Sequence, residues 1–331
     1  MSLTQSKIRE SAKKLKLGLI FYKIYHVPKG FTKKIFSQGV VNMFIDWQGR
    51  IDMEKAVESL QSLENSPTVA KTLDIHFLTG KKFWYQTCLC AYSMSQYSGD
   101  VKLRPVIYDD GSLQKRHQDK ILDLFPAAKI VLKHEIEEYI DKYLPESKFP
   151  YLRERRLNYP NIRKLTDIHV NSQGWKLVLD SDMLFFRTPD VLLNWLKSPH
   201  EPCHMVDVET SYGYTYNLMA SLAQAEIADR INVGICGLKS EDIDWEQLEY
   251  WCKTMIEQEG KSYFQEQALI AMLMAGKPCT VVSSSDYIVM PEKAEVIQPK
   301  AILHHYVADS KPWYFRYAWK QVLKKSYELA F

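Results

Sequence analysis

The sequence predicts an α/β protein, a mainly parallel sheet flanked by helices and preceded by a helical, basic extension. Three observations predict it. From residue 74 onward, short apolar runs alternate with helix-length stretches, the rhythm of a mainly parallel sheet. The early runs end in turn chemistry, Thr79-Gly80 and Asp109-Asp110-Gly111. The composition, 46% hydrophobic and 25% charged over 331 residues, supplies core for one large domain or two smaller ones.

The elements follow in order. Residues 1–70 read as the extension: helix-prone basic text, a break at Pro28-Lys29-Gly30, then a second helix from Met53 to Leu63 ending near Asn65-Ser66-Pro67. Residues 71–331 read as the main domain. Asp74 to Thr79 is a strand, Phe83 to Tyr97 a helix, Arg104 to Tyr108 a strand and Leu113 to Leu124 a helix. Ala128 to Leu132 is a short strand; Glu135 to Tyr143 and Asn161 to Val170 are helices. Trp175 to Leu179 is an apolar strand, with a second apolar run at Met183 to Phe186. Asp190 to Leu196 is a helix, His204 to Val208 a strand, and Tyr212 to Tyr216 an aromatic loop. A helix over Ala220 to Asp229 precedes a strand over Ile231 to Leu238. Helices at Trp245 to Gln258 and Glu266 to Met274, a late strand at Ile302 to Tyr306 and a helix over Trp313 to Tyr327 complete the chain.

Several function classes are disfavoured. No G-x-G-x-x-G follows the first strand and no P-loop sequence occurs, against a dinucleotide enzyme or an ATPase. A net charge of +3 gives no argument for nucleic acid. The charge is uneven, because residues 1–34 carry Lys7, Arg9, Lys13, Lys14, Lys16, Lys23, Lys29, Lys33 and Lys34 against Glu10 alone. The six cysteines form no C-x-x-C and several sit in apolar text, which suits reduced, buried thiols of a cytoplasmic protein. No apolar run is long enough to span a bilayer or to form a signal-peptide core.

The chemistry centres on Asp180-Ser181-Asp182, set between two apolar runs. Two carboxylates at the end of a buried strand need a cation, or they shift pKa and neutralise. A divalent metal with oxygen ligands, beside a phosphorylated substrate, explains the pair. A solvated strand-end turn with a helix N-cap at Asp182 is the other reading. Ligands of such sheets bind beyond the carboxyl ends of the strands, where this triplet lies.

Three more features line up behind it: Asn232-Val233-Gly234, Gln265-Glu266-Gln267, and His305-Tyr306 followed by Lys311-Pro312-Trp313. Their order and wording resemble the GT-A-fold glycosyltransferases, most closely the retaining enzymes of glycosyltransferase family 8, over roughly residues 74–320. The resemblance implies a GT-A-like, Rossmann-type fold and a metal-dependent hexosyltransferase. Asp180, Asp182 and His305 would hold Mn²⁺ or Mg²⁺, the imidazole leaning towards Mn²⁺. Lys311 and Arg163 would meet the donor phosphates. Asn232, Gly234, Glu266 and Gln267 would surround the donor sugar, with Gln267 nearest the anomeric carbon. Thr79 and Gly80 would let the nucleotide approach the backbone, with Tyr108 and Asp109 as further contacts. Strand alternation turns His304 and His305 to opposite faces, so one of them serves. Each residue also has a structural reading: a core histidine, a turn asparagine, a helix-initiating Glu266-Gln267, or surface charges at Arg163 and Lys164.

The chain departs from the family pattern at three places. Ala308 stands where a glycine is usual, Ala268 where a second acid often follows the glutamine, and Thr79-Gly80-Lys81-Lys82 where acidic and asparagine nucleotide contacts are usual. UDP is therefore the default nucleotide by analogy only. Retaining transfer would proceed by front-face attack, with the β-phosphate taking the acceptor proton; an inverting enzyme would use Glu266 as its base. A nucleotidyl- or phosphotransferase acting on a sugar, and a binding protein that has lost turnover, stay open. The partners implied are a nucleotide-sugar donor and a glycan or lipid-linked acceptor, without nucleic acid. The basic N-terminus and the aromatic, basic stretch Trp313 to Lys320 suit peripheral contact with the inner membrane face, unless those aromatics seal the core.

Overall fold

The computed structural model describes residues 40–63 and 71–329. Two compact units are distinguished, 1–52 and Met53–Phe331, and the site described below lies in the second. The basic run of residues 1–34 and the Asn65-Ser66-Pro67 stop lie outside the described residues. Helix α1 spans Val40–Ser59; Met53 and Val57, in its second half, are fully buried.

The second unit is a seven-stranded sheet with helices on both faces. Strands β1 (Lys71–Thr79), β2 (Val101–Asp109), β3 (Lys129–Val131) and β4 (Trp175–Leu179) run parallel. β6 (Cys203–Val206) and β8 (Thr280–Val281) pair in parallel with each other. β7 (Ile231–Lys239) is antiparallel to both β4 and β6, in the order β3-β2-β1-β4-β7-β6-β8. A smaller sheet joins β5 (Met183–Phe185), β10 (Leu303–His305) and β9 (Tyr287–Val289).

Alternation along the strands builds two cores. Leu73, Ile75, Phe77, Ile107, Leu177, Leu179 and Ile235 face one, and Val106, Tyr108, Val178, Cys236 and Leu238 face the other. On the first face lie α2 (Trp84–Ser95), α3 (Lys115–Leu124) and α7 (Asp190–Lys197). On the second lie α4 (Lys133–Tyr143), α5 (Pro150–Asn158), α6 (Arg163–His169), α9 (Trp245–Glu259) and α10 (Gln265–Met274). Five of the six cysteines are buried and all six are free thiols. Among the described residues no helix is long and apolar enough to cross a membrane.

Three helices differ from expectation in position, presence or detail. The helix expected over Ala220 to Asp229 is α8, Tyr216–Ala223. Thr215 caps it by accepting from the Leu218 amide, and Gln224, left-handed at φ 52°, ends it. The helix α5 has no counterpart in the sequence reading, because its charged text Arg153-Glu154-Arg155-Arg156 hides its buried face. The terminal helix is present as expected but carries a π-turn over Tyr314–Ala318 between α12 (Lys311–Trp313) and α13 (Trp319–Leu329), with the short α11 (Lys293–Ile297) before β10. Tyr314, Phe315 and Trp319 are buried in the core, while Trp313 and Tyr317 stack with Lys293 over both rings.

Arg156 ties the helices of the second face together. Its guanidinium donates to both carboxylate oxygens of Glu137, at 2.8 and 3.0 Å, and to both of Asp167, at 2.5 and 3.1 Å. Burial works to raise the Glu137 carboxyl, but hydrogen bonds from Arg156 and Lys133 win and lower it from 4.5 to about 2. The folded pKa lies below the unfolded one, so this stabilisation is present above about pH 4.5 and is lost as pH falls towards 2. Glu137→Gln is expected to flatten that limb of the stability curve, measured as urea midpoint against pH.

Candidate active site

The carboxyl edge of the sheet assembles the site. Asp180 leaves β4 with its amide donating to the Gly234 carbonyl, 2.8 Å away. Asp182 leads into β5, and its carbonyl accepts from the Tyr306 amide at 2.9 Å. Because β5 pairs with β10 in the register Met183↔His305, the imidazole arrives beside both acids. Asp180, Asp182 and His305 each present a ligand atom within 4.8 Å of the others. His305 Nε2 lies 3.3 Å from Asp182 and 3.6 Å from Asp180. Both ring nitrogens are buried and neither makes a well-directed hydrogen bond. An orphaned buried imidazole facing two carboxylates is compatible with a divalent cation held by mixed oxygen and nitrogen ligands.

His304 turns the other way, its nitrogens 3.0 Å from the Tyr306 hydroxyl and 3.0 Å from Glu295. Gly234 makes room for His305. A Cβ there would lie 2.5 Å from the ring carbon Cε1 and 2.7 Å from Nδ1.

Charge compensation comes from two lysines. Lys311 Nζ is 2.9 Å from Asp182. Burial works to raise the Asp182 carboxyl, but His305 and Lys311 hold it well below the ordinary carboxylate range. Lys164 Nζ sits 2.8 Å from Asp180 and 3.1 Å from Glu266. Burial would strip its proton, yet the two carboxylates hold its pKa up. One ammonium does not neutralise two acids. Glu266 is the more buried of them, and burial, with Asp180 adding to it against Lys164, pushes it up to about 7.

The remaining sequence candidates are placed as follows. Arg163 donates to the carbonyls of Arg156, at 3.1 Å, and Asp110, at 3.0 Å, so the next residue, Lys164, is the one that reaches the acids. Thr79 belongs to a hydroxyl relay through Thr87 to Ser181, with steps of 2.8 and 2.7 Å, that tethers β1 to the acidic triplet. Gly80 is packed beneath Asp110, whose carboxylate a Cβ would meet at 2.0 Å. Tyr108 lies over His76, and Asp109 caps the amides of Gly111 and Leu113. Asn232 accepts from the Gly234 amide and donates to Asp207, both at 2.9 Å. Gln267 donates to the same Asp207 carboxylate oxygen at 3.3 Å. Gln265 turns into the core against Cys252, and Ala268 is fully buried there.

Lys164 and Asp207 are the residues that the sequence reading did not place in the site. Asp207 carried a usable signal, an acid directly after the apolar run Cys203 to Val206, the same pattern as Asp180 after β4. Lys164 carried none, because only the three-dimensional turn of α6 decides which of two adjacent bases faces the acids.

No family model matches the chain, and no curated protein matches it in sequence. Solved structures do match. The galactosyltransferase LgtC, crystallised with donor and acceptor sugar analogues, superposes with TM-score 0.53 at 14% identity, over 77% of this chain and 96% of that one. An active-site glutamine-to-glutamate variant of LgtC gives TM-score 0.52 at 15% identity, with the same coverage. The fold is of the GT-A glycosyltransferase type.

Within that fold, Ala308 holds a left-handed backbone, φ 42°, in the turn between His305 and Lys311. A side chain in this region costs about 1–2 kcal/mol, and glycine's greater unfolded freedom returns part of that. Ala308→Gly is expected to raise stability by about 1 kcal/mol, read as the urea midpoint. Lys164→Met strips the ammonium that bridges Asp180 and Glu266 and is expected to cost about 3–5 kcal/mol, with Lys164→Met/Glu266→Gln recovering part of the loss.

Proposed function

We propose that the chain is a metal-dependent glycosyltransferase that moves a sugar from a nucleotide-sugar donor, UDP-linked by default, to a glycan or lipid-linked acceptor with retention. The observation that carries this reading is the convergence of Asp180, Asp182 and His305 with Lys311 at the carboxyl edge of a GT-A-type sheet. The donor set fits Mn²⁺ better than Mg²⁺, because an imidazole stands among the oxygens. Bound there, the ion would supply Lewis-acid stabilisation of the departing diphosphate.

The chain's own residues do the rest. Lys311, 40% exposed, can leave Asp182 for an incoming phosphate and set a positive charge where negative charge develops. Lys164 holds the Asp180 carboxylate in one orientation. Asn232 and Gln267 converge on Asp207, and this amide–carboxylate cluster offers donors and an acceptor to the sugar hydroxyls. Glu266 is engaged by Lys164 rather than free to serve as a base, which is the ground for favouring retention over inversion. The use of a galactosyltransferase fold for sugar transfer, with donor and acceptor sugars bound in LgtC, is consistent with this assignment.

The test is thermal stability with a panel of nucleoside diphosphates, each with and without Mn²⁺. A ligand of the folded state stabilises it by RT ln(1 + [L]/Kd), about 2.7 kcal/mol at a hundredfold excess over Kd. The expected result is a shift that needs both one diphosphate and the metal, and that disappears in Asp182→Asn and His305→Ala. A shift that survives both variants removes the site assignment; release of pyrophosphate during turnover would indicate a nucleotidyltransferase instead.

A further inference from the structure

A cavity of about 480 Å³ opens on the loop between β6 and α8. Its lining includes Thr210, Tyr212, Tyr214, Tyr216, Asp229 and Glu259, and among the described residues no base lines it. The mechanism above uses none of them. The volume lies in the ordinary range for small-molecule sites, about 300–1,000 Å³.

Two of the aromatic walls are fixed in advance. The Tyr212 hydroxyl donates to the Ala228 carbonyl and accepts from the Ile231 amide at 3.1 Å. The Tyr214 hydroxyl donates to the Gly260 carbonyl at 3.0 Å and accepts from the Ser262 amide at 3.3 Å. Rings already held in place cost a ligand little ordering entropy. Tyr216 is 50% exposed. The Glu259 carboxylate is steered by the Thr215 amide at 2.9 Å, and Asp229 is exposed.

The cavity is tied to the candidate donor site at both ends of its loop. Three residues before Thr210, Asp207 bonds Asn232 and Gln267. Ile231, which holds Tyr212, is the neighbour of Asn232. At Gly213, φ 68°, the loop presses so closely on the next segment that a Cβ would meet Ser262 Oγ at 2.0 Å. That segment runs through exposed Tyr263 and Phe264 into Glu266 and Gln267.

We infer that this cavity is an acceptor subsite for a neutral pyranose ring, an assignment that rests on the glycosyltransferase reading. A pyranose presents an apolar C–H face and a rim of hydroxyls. The face suits a tyrosine ring, and the rim suits the Thr210 and Tyr216 hydroxyls and the carboxylate acceptors. Two carboxylates with no base among the described lining residues repel phosphate and uronate, so the sugar bound here is uncharged or an amino sugar.

The experiment is saturation-transfer NMR with methyl β-glucoside, methyl β-galactoside, methyl β-N-acetylglucosaminide, lactose and, as the anionic control, methyl β-glucuronide. At least one neutral sugar is expected to receive saturation on its ring protons, and the glucuronide none. Tyr216→Ala is expected to weaken that sugar about tenfold, and Thr210→Trp, which fills the cavity from an exposed position, to abolish it. Both variants should keep the wild-type thermal shift with nucleoside diphosphate and Mn²⁺. Absence of binding by every neutral sugar, binding unchanged in both variants, or equal binding of the glucuronide overturns the subsite. Loss of the nucleotide response in the wild type, with sugar binding intact, instead removes the glycosyltransferase reading and leaves a carbohydrate-binding cavity.

Discussion

Placing two carboxylates at the mouth of a buried strand is the constraint on which the rest of the structure depends. Asp180 and Asp182 cannot be desolvated side by side without positive charge, and the fold supplies it from two lysines on separate elements. Lys164 comes from α6 and Lys311 from the terminal helical run, while the His305 imidazole reaches the acids from β10. Lys164 lies far in the chain from Lys311, so the acids are compensated only when both sheets are formed and joined. The site is thus a readout of complete folding.

The two sheets are joined by the acidic triplet itself. Its first residue follows directly on β4 in the large sheet, and its last directly precedes β5 in the small one. Main-chain bonds from Asp180 to Gly234 and from Tyr306 to Asp182 fix both halves. The glycine at 234 is dictated by the imidazole, which occupies the volume a side chain would need. The left-handed turn at Ala308 carries the chain from His305 back to Lys311 within a few residues. The backbone conformation there is one that glycine adopts at no cost, so the alanine keeps the turn at a local energetic penalty.

Much of this was legible in the sequence for identifiable reasons. Strands β4 and β7 are buried on both faces, and β1 is largely buried from Leu73 onward, so their apolar runs stand out. The opposite facing of His304 and His305 follows from strand periodicity, and the contacts of the two rings agree with it. What was not legible depends on how helices rotate about their axes and where loops pack. Arg163 and Lys164 are adjacent bases, and the choice between them is made by the packing of α6 against β1. Helix α5 is masked by charges that prove to be internal, with Arg155 and Arg156 buried and bonded. Helix α8 lies upstream of its expected place because Thr215 caps it and Gln224 stops it.

The central claim is that Asp180, Asp182 and His305 together hold a divalent cation. Electron paramagnetic resonance of Mn²⁺ tests it most directly, since the six-line signal of the free aqueous ion diminishes as the ion is bound. The account predicts that the protein, titrated in the presence of UDP, removes one equivalent of signal, and that His305→Ala and Asp182→Asn do not. Undiminished signal from the wild type with every nucleoside diphosphate, or full binding by both variants, would contradict it.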